Sequence, residues 1–206
     1  MAPRPTPVYL AVGVLSWPVL KFLFRYRATG LERLPRDGGY VLAANHLSNL
    51  DPWALGMALF PRRFLRFMAK SELFWFPLGP FIGSAGAFKV RRGESDLEAI
   101  RVAEQLARDG HVIAMFPEGT RRRKGLRKKW QPERHTGAAR IALGAEVPLV
   151  PAAVRGTDRL ARLGPLRVVY GEAVLTDDLV DLDPAEAARV ATDRLMSSIE
   201  LLESSL

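Results

Sequence analysis

His46 and Asp51 are separated by four residues in the stretch NHLSNLDP, residues 45–52. An imidazole can take and return a proton near neutral pH, and a carboxylate within reach fixes its tautomer and stabilises the imidazolium that forms. Such a pair makes a hydroxyl nucleophilic. The same spacing also fits an aspartate that caps a helix beside a histidine bonded within its loop, so spacing alone leaves both readings open. Ser48, two positions from His46, suits a turn hydrogen bond better than nucleophilic attack. The chain has no cysteine, which removes disulfides, thiolate zinc sites and a cysteine nucleophile, and fits a reducing compartment. His46, His111 and His135 have no ligand-like spacing, so no metal is expected, and His111 opens an apolar run where a structural role is expected.

The elements needed to hold this pair can be read around it. The apolar run YVLAA at 40–44 predicts a buried strand that delivers Asn45 and His46 at its C-terminal end. Asp51-Pro52 predicts a helix start, with Asp51 as N-cap and Pro52 in the first turn, running to residue 59 before Pro61. Further strands are expected at 24–29, 64–69, 87–90, 111–116, 149–154 and 166–170. Ser95 and Glu98 fit a capping box opening a helix whose apolar face includes Leu97, Ile100, Ala103, Leu106 and Ala107, with Gly110 as its stop. Another helix is expected at 135–143 with Gly144 as C-cap, and a last one from Asp183-Pro184 to about residue 202. Alternating strands and helices predict an α/β fold: a single domain with a mixed, centrally parallel sheet flanked by helices.

The 206 residues, 48% hydrophobic, suffice for one core, and a formal charge of +8 favours anionic partners: phospholipid head groups, phosphorylated substrates or nucleic acid. The run at 8–24 is apolar but for Ser16, Pro18 and Lys21, short for a membrane span, and broken by proline. It reads as a short N-terminal membrane-associating helix with Trp17 near the head groups, against the alternatives of a buried helix or a secretory signal. This divides the chain into a membrane-associating segment at 1–25 and a catalytic domain at 26–206. The uncharged run LFWFPLGPFIG at 73–83 fits membrane docking, one wall of an apolar channel, or core. A basic segment, RRKGLRKKW at 122–130, fits attraction to anionic lipid, binding of a ligand's phosphates, or a solvated loop.

NHLSNLDP, GAFKVRR (86–92), FPEGTR (116–121) and VPLVP (147–151) follow one another in an order that resembles the four motifs of the glycerol-3-phosphate and lysophosphatidic acid acyltransferase family. AKSEL at 69–73 is similar to a stretch that family carries between its first two motifs, and the resemblance spans about residues 30–157. It implies that His46 is the base deprotonating an acceptor hydroxyl and that Asp51 is its partner. The acyl donor, acyl-CoA or acyl carrier protein, is then attacked directly, with no acyl-enzyme and no cofactor. Arg92 and Arg121 match positions expected to bind phosphate, with Lys70 as a third contact. Gly119 lets backbone approach the ligand, Glu118 holds an acceptor hydroxyl or braces an arginine, and Thr120 completes the third motif's binding segment. The fourth-motif prolines are expected to shape the strand end and the acyl pocket. The implied reaction gives phosphatidic acid from 1-acyl-sn-glycerol 3-phosphate at the cytoplasmic face of the cell membrane; another lysolipid or a glycolipid is the alternative acceptor. The basic run after FPEGTR, where the family often has serine, leaves acceptor specificity less defined than reaction type. A nucleic-acid-binding protein is the competing class, but it leaves the four ordered motifs without a purpose, so no nucleic-acid partner is expected.

Overall fold

The computed structural model describes residues 4–90, 96–119, 123–124, 127–128 and 134–206, with the backbone alone at 70, 90, 96, 123–124 and 127–128. Helix α1 (Pro7–Pro18) starts behind Thr6, whose hydroxyl accepts the Tyr9 amide at 3.1 Å. Pro18 has no amide to donate, and the chain loosens there into a π-type turn at Val19–Leu23. Arg25 then takes a φ of 44°, and β1 is confined to Arg27–Thr29, shorter than the run at 24–29 suggests. No helix among the described residues is long and apolar enough to cross a membrane.

The remaining strands are β2 (Tyr40–Ala44), β3 (Leu65–Lys70), β4 (Ala87–Val90), β5 (Val112–Met115), a small hairpin of β6 (Arg123–Lys124) and β7 (Arg127–Lys128), β8 (Leu149–Arg155) and β9 (Arg167–Tyr170). The main sheet runs β1-β9-β8-β2-β5-β3-β4, with every neighbouring pair parallel except β8 and β9. This is the mixed, centrally parallel sheet the alternation implied. β2 is buried along its whole length because both faces are covered, as a central parallel strand requires. Its alternation sends Tyr40, Leu42 and Ala44 toward helix α2 (Asp51–Leu59), where they meet Ala54, Leu55 and Leu59. Val41 and Ala43 face the other layer, built with α4 (Asp96–Arg108), α5 (Gly137–Ala145) and α6 (Pro184–Ser204). Each large aliphatic side chain buried this way stabilises the fold by roughly 1.5–3 kcal/mol. Between β3 and β4, the short helix α3 (Leu78–Ser84) packs beside α1, and the Thr6 hydroxyl donates to the Ser84 carbonyl.

Local signals decide the helix ends only in part. At the end of α4 the His111 amide bonds back to Leu106 and the Gly110 amide to Ala107, the paired closure expected when glycine takes a positive φ, here 90°. Ser95, the expected cap at its start, lies outside the described residues. Asp183 caps α6, accepting the amides of Ala185 and Glu186. Gly144, however, does not cap α5: the helix continues to Ala145, and Glu146 takes the left-handed position with φ 55°. A Cβ at Gly144 would stand 2.5 Å from a Glu104 carboxylate oxygen, so the glycine serves the α4–α5 approach instead.

Candidate active site

The site lies where β2 and β5, neighbours in the sheet, send their chains to opposite faces. From β2 the chain passes to α2 on one side, and from β5 it reaches α5 on the other. Such a divergence opens a crevice at the C-terminal strand ends, the usual place for ligands in an open α/β sheet. His46 from the β2 end and Phe116 from the β5 end meet there with rings stacked, centroids 4.1 Å apart and planes 20° from parallel.

His46 Nδ1 lies 2.8 Å from Asp51 Oδ2, with 16% of the His46 side chain exposed and none of Asp51. The same Oδ2 accepts the backbone amides of Leu47 at 2.7 Å and Ser48 at 2.9 Å, and Oδ1 accepts the Thr157 hydroxyl at 2.5 Å. This corrects the reading of Asp51 as a helix N-cap. Leu50 holds the cap position without a side-chain bond, Asp51 is the first helical residue, and its carboxylate turns back into the loop rather than onto the helix amides. The donors are already supplied by the loop and by Thr157, which satisfies a buried carboxylate more fully than capping would. An ionised carboxylate only accepts, so the network assigns the proton to His46 Nδ1 and leaves the lone pair on Nε2. Ser48 makes a turn bond, its hydroxyl accepting the Leu50 amide at 3.3 Å.

Asn45 fastens the strand end that carries His46. Its amide nitrogen donates to the Val154 carbonyl at 2.9 Å and to Glu203 Oε1 on α6, and its oxygen accepts the Val154 amide at 2.8 Å. Beyond Phe116, Pro117 and Glu118 are buried and Gly119 takes a φ of 64°. A Cβ at Gly119 would fall 2.4 Å from the His135 ring, so this turn demands glycine for both shape and space. Lys70 stands at the last position of β3, on the same edge of the sheet, though its side chain is not described. Arg92, Thr120 and Arg121 lie outside the described residues, as does most of the basic segment. The structure thus brings His46, Asp51, Glu118 and Gly119 to one edge and adds Asn45, Phe116 and Thr157. Phe116 opens a motif the sequence already singled out; Thr157 carries no local mark beyond following Gly156.

Among the described residues, two cavities bear on the site. One of about 370 Å³ lies among α1, α2 and α3, lined by apolar groups such as Gly13, Trp53, Phe60 and Phe81, and its walls include Asn49 and Leu50 of the loop joining His46 to Asp51. Tyr9, whose hydroxyl burial pushes up to about 12, belongs to the same wall. The larger, about 670 Å³, lies between α6 and the segment at 171–178 that follows β9, and touches none of the residues around His46. Pro151 lines that second groove, and neither fourth-motif proline lines the first, because alternation along β8 turns Pro151 away from the α2 face. His111 sits at the start of β5, the end of the strand away from Phe116, against the Phe64 ring, and burial holds its pKa down, consistent with a packing role.

Fold and site together define an α/β enzyme built around a histidine–aspartate pair at the strand ends. Residues 25–155 match the family model described as Acyltransferase. A 1-acyl-sn-glycerol-3-phosphate acyltransferase of Bacillus subtilis is 32% identical over 181 residues, covering 85% of this chain and 86% of its own. A chloroplastic 1-acyl-sn-glycerol-3-phosphate acyltransferase of Brassica napus is 30% identical over 139 residues, 66% of this chain and 38% of that longer protein. In fold, the crystal structure of the 1-acyl-sn-glycerophosphate acyltransferase from Thermotoga maritima matches with a TM-score of 0.66 at 23% identity, covering 95% of this chain and 78% of that one. The chain belongs to the acyltransferase family.

Proposed function

We propose that this protein transfers a fatty acyl group from an acyl thioester, on coenzyme A or acyl carrier protein, to the free hydroxyl of 1-acyl-sn-glycerol 3-phosphate, giving phosphatidic acid for phospholipid synthesis. The observation that carries the reading is the His46–Asp51 pair with Nε2 left as the base. Nε2 takes the acceptor's hydroxyl proton, the oxygen attacks the thioester carbonyl, the C–S bond breaks, and the thiolate leaves with the proton from the imidazolium. Asp51 stabilises that imidazolium throughout. A thiol with pKa about 8.5 leaves more readily than an alkoxide, so no acyl-enzyme is needed. The acceptor follows the name of the Bacillus subtilis relative and the basic residues of the motifs: Lys70, Arg92 and Arg121 bind its phosphate, with Glu118, Gly119 and Thr120 around it.

The apolar side of the molecule supports work at a lipid surface. Leu15 and Phe22 of the N-terminal segment are 74% and 77% exposed, and Phe76, next to α3, is 84% exposed. With α1 and α3 packed together, these groups suit a segment at 1–25 that lies on the cytoplasmic face of the membrane while residues 26–206 carry the chemistry. The 370 Å³ cavity beneath them suits an acyl chain reaching the His46 loop. The absence of cysteine makes the test simple, because thiol release from an acyl-CoA can be followed with a thiol reagent and no background from the protein. Purified protein in mixed micelles should release thiol only when 1-acyl-sn-glycerol 3-phosphate is present, His46→Ala should abolish release while remaining folded, and Ser48→Ala should retain it. Full turnover by folded His46→Ala would overturn the mechanism.

A further inference from the structure

We infer that Thr157 is a positioning residue of the acyl transfer, holding the Asp51 carboxylate in the one orientation that serves His46. The inference rests on the proposed role of the His46–Asp51 pair. Asp51 has two oxygens with different duties. Oδ2 takes His46 and the two loop amides, and Oδ1 is held by the Thr157 hydroxyl, at 2.5 Å, with Thr157 only 2% exposed. A carboxylate held on one oxygen alone can swing about its Cβ–Cγ bond, carrying Oδ2 out of line with the ring. A donor on the opposite oxygen removes that freedom, which is how an outer group sharpens a pair that does the chemistry.

The chain places Thr157 there deliberately, through long-range structure. Asn45 pairs through its side chain with both backbone groups of Val154, extending the β2–β8 ladder by one step beyond its last strand pair. The segment carrying His46 and the segment leading to Thr157 are thereby tied at one level. Gly156 then turns with a φ of 97°, and a Cβ there would stand 2.5 Å from the Pro165 carbonyl oxygen, so only glycine makes this turn. The turn brings Thr157 over Asp51, 106 residues away in sequence.

The test compares Thr157→Ser, Thr157→Ala and Thr157→Val in the thiol-release assay, with wild type and His46→Ala alongside. Serine and alanine differ by the hydroxyl alone, and valine keeps the shape of threonine without it. If the hydroxyl positions Asp51, Ser should stay within about twofold of wild type, while Ala and Val should lose about tenfold or more in kcat with little change in KM. In proton NMR, the downfield resonance of the His46 Nδ1 proton should persist in Ser and shift or broaden in Ala. Should Val fail to fold, the Ser–Ala pair decides. Equal kcat in Ser and Ala, or Ser impaired as badly as Ala, would overturn the role of the hydroxyl. If wild type turns over no faster than His46→Ala, the proposed mechanism itself fails.

Discussion

Replacing Asp51 by asparagine separates the charge of the carboxylate from its geometry. Three donors converge on Oδ2, from His46, Leu47 and Ser48, while Oδ1 meets one hydroxyl. In Asp51→Asn the two backbone amides cannot rotate, so the amide oxygen must take the Oδ2 position and the NH₂ must face Thr157, whose hydroxyl can turn to accept. His46 therefore keeps its tautomer and Nε2 its lone pair. What disappears is the ionic partner of the imidazolium in the transition state. Two unit charges about 4 Å apart at an effective dielectric of about 20 interact by about 4 kcal/mol. At 1.36 kcal/mol per factor of ten, kcat should fall about a thousandfold. Stability should hold, since every buried donor keeps an acceptor and a buried charge is removed. The measurements are thiol release under saturating donor and acceptor, and a thermal melt of the same preparation. A folded Asp51→Asn enzyme keeping more than about a tenth of wild-type kcat would refute the reasoning, because the charge would then contribute under about 1.4 kcal/mol.

Two further outcomes follow from the apolar side. Ala85 lines the cavity among α1, α2 and α3, and Ala85→Leu fills part of it, so the ratio of rates with longer over shorter acyl donors should drop several-fold; an unchanged ratio would remove the acyl chain from that cavity. The double substitution Phe22→Asp with Phe76→Asp should abolish co-sedimentation with anionic vesicles and leave the melting temperature within a few degrees, since both rings are exposed; undiminished binding would place the membrane contact elsewhere.

Much of the scaffold was legible because its signals are local. YVLAA is a continuous apolar run, and a strand buried on both faces needs one. Asp183-Pro184 marks a helix start through contacts with amides two and three residues on. Where local signals misled, a distant group had claimed the residue. Gly144 looked like a cap, but its missing side chain makes room for Glu104, and Asp51 looked like a cap while its carboxylate serves His46 and Thr157.

His46 and Asp51, with which the sequence was first read, illustrate the division. Their types and spacing admitted a base and its partner without deciding for them, and it was four ordered motifs that pointed to acyl transfer, because those features lie within short stretches of chain. Sequence alone did not distinguish a capping aspartate from a catalytic one, nor reveal Phe116 stacked on the ring or Thr157 on the carboxylate. Those contacts exist only once β5 and β8 flank β2, joining residues 70 (His46 and Phe116) and 106 (Asp51 and Thr157) positions apart, and no periodicity of 2 or 3.6 residues carries information over that distance.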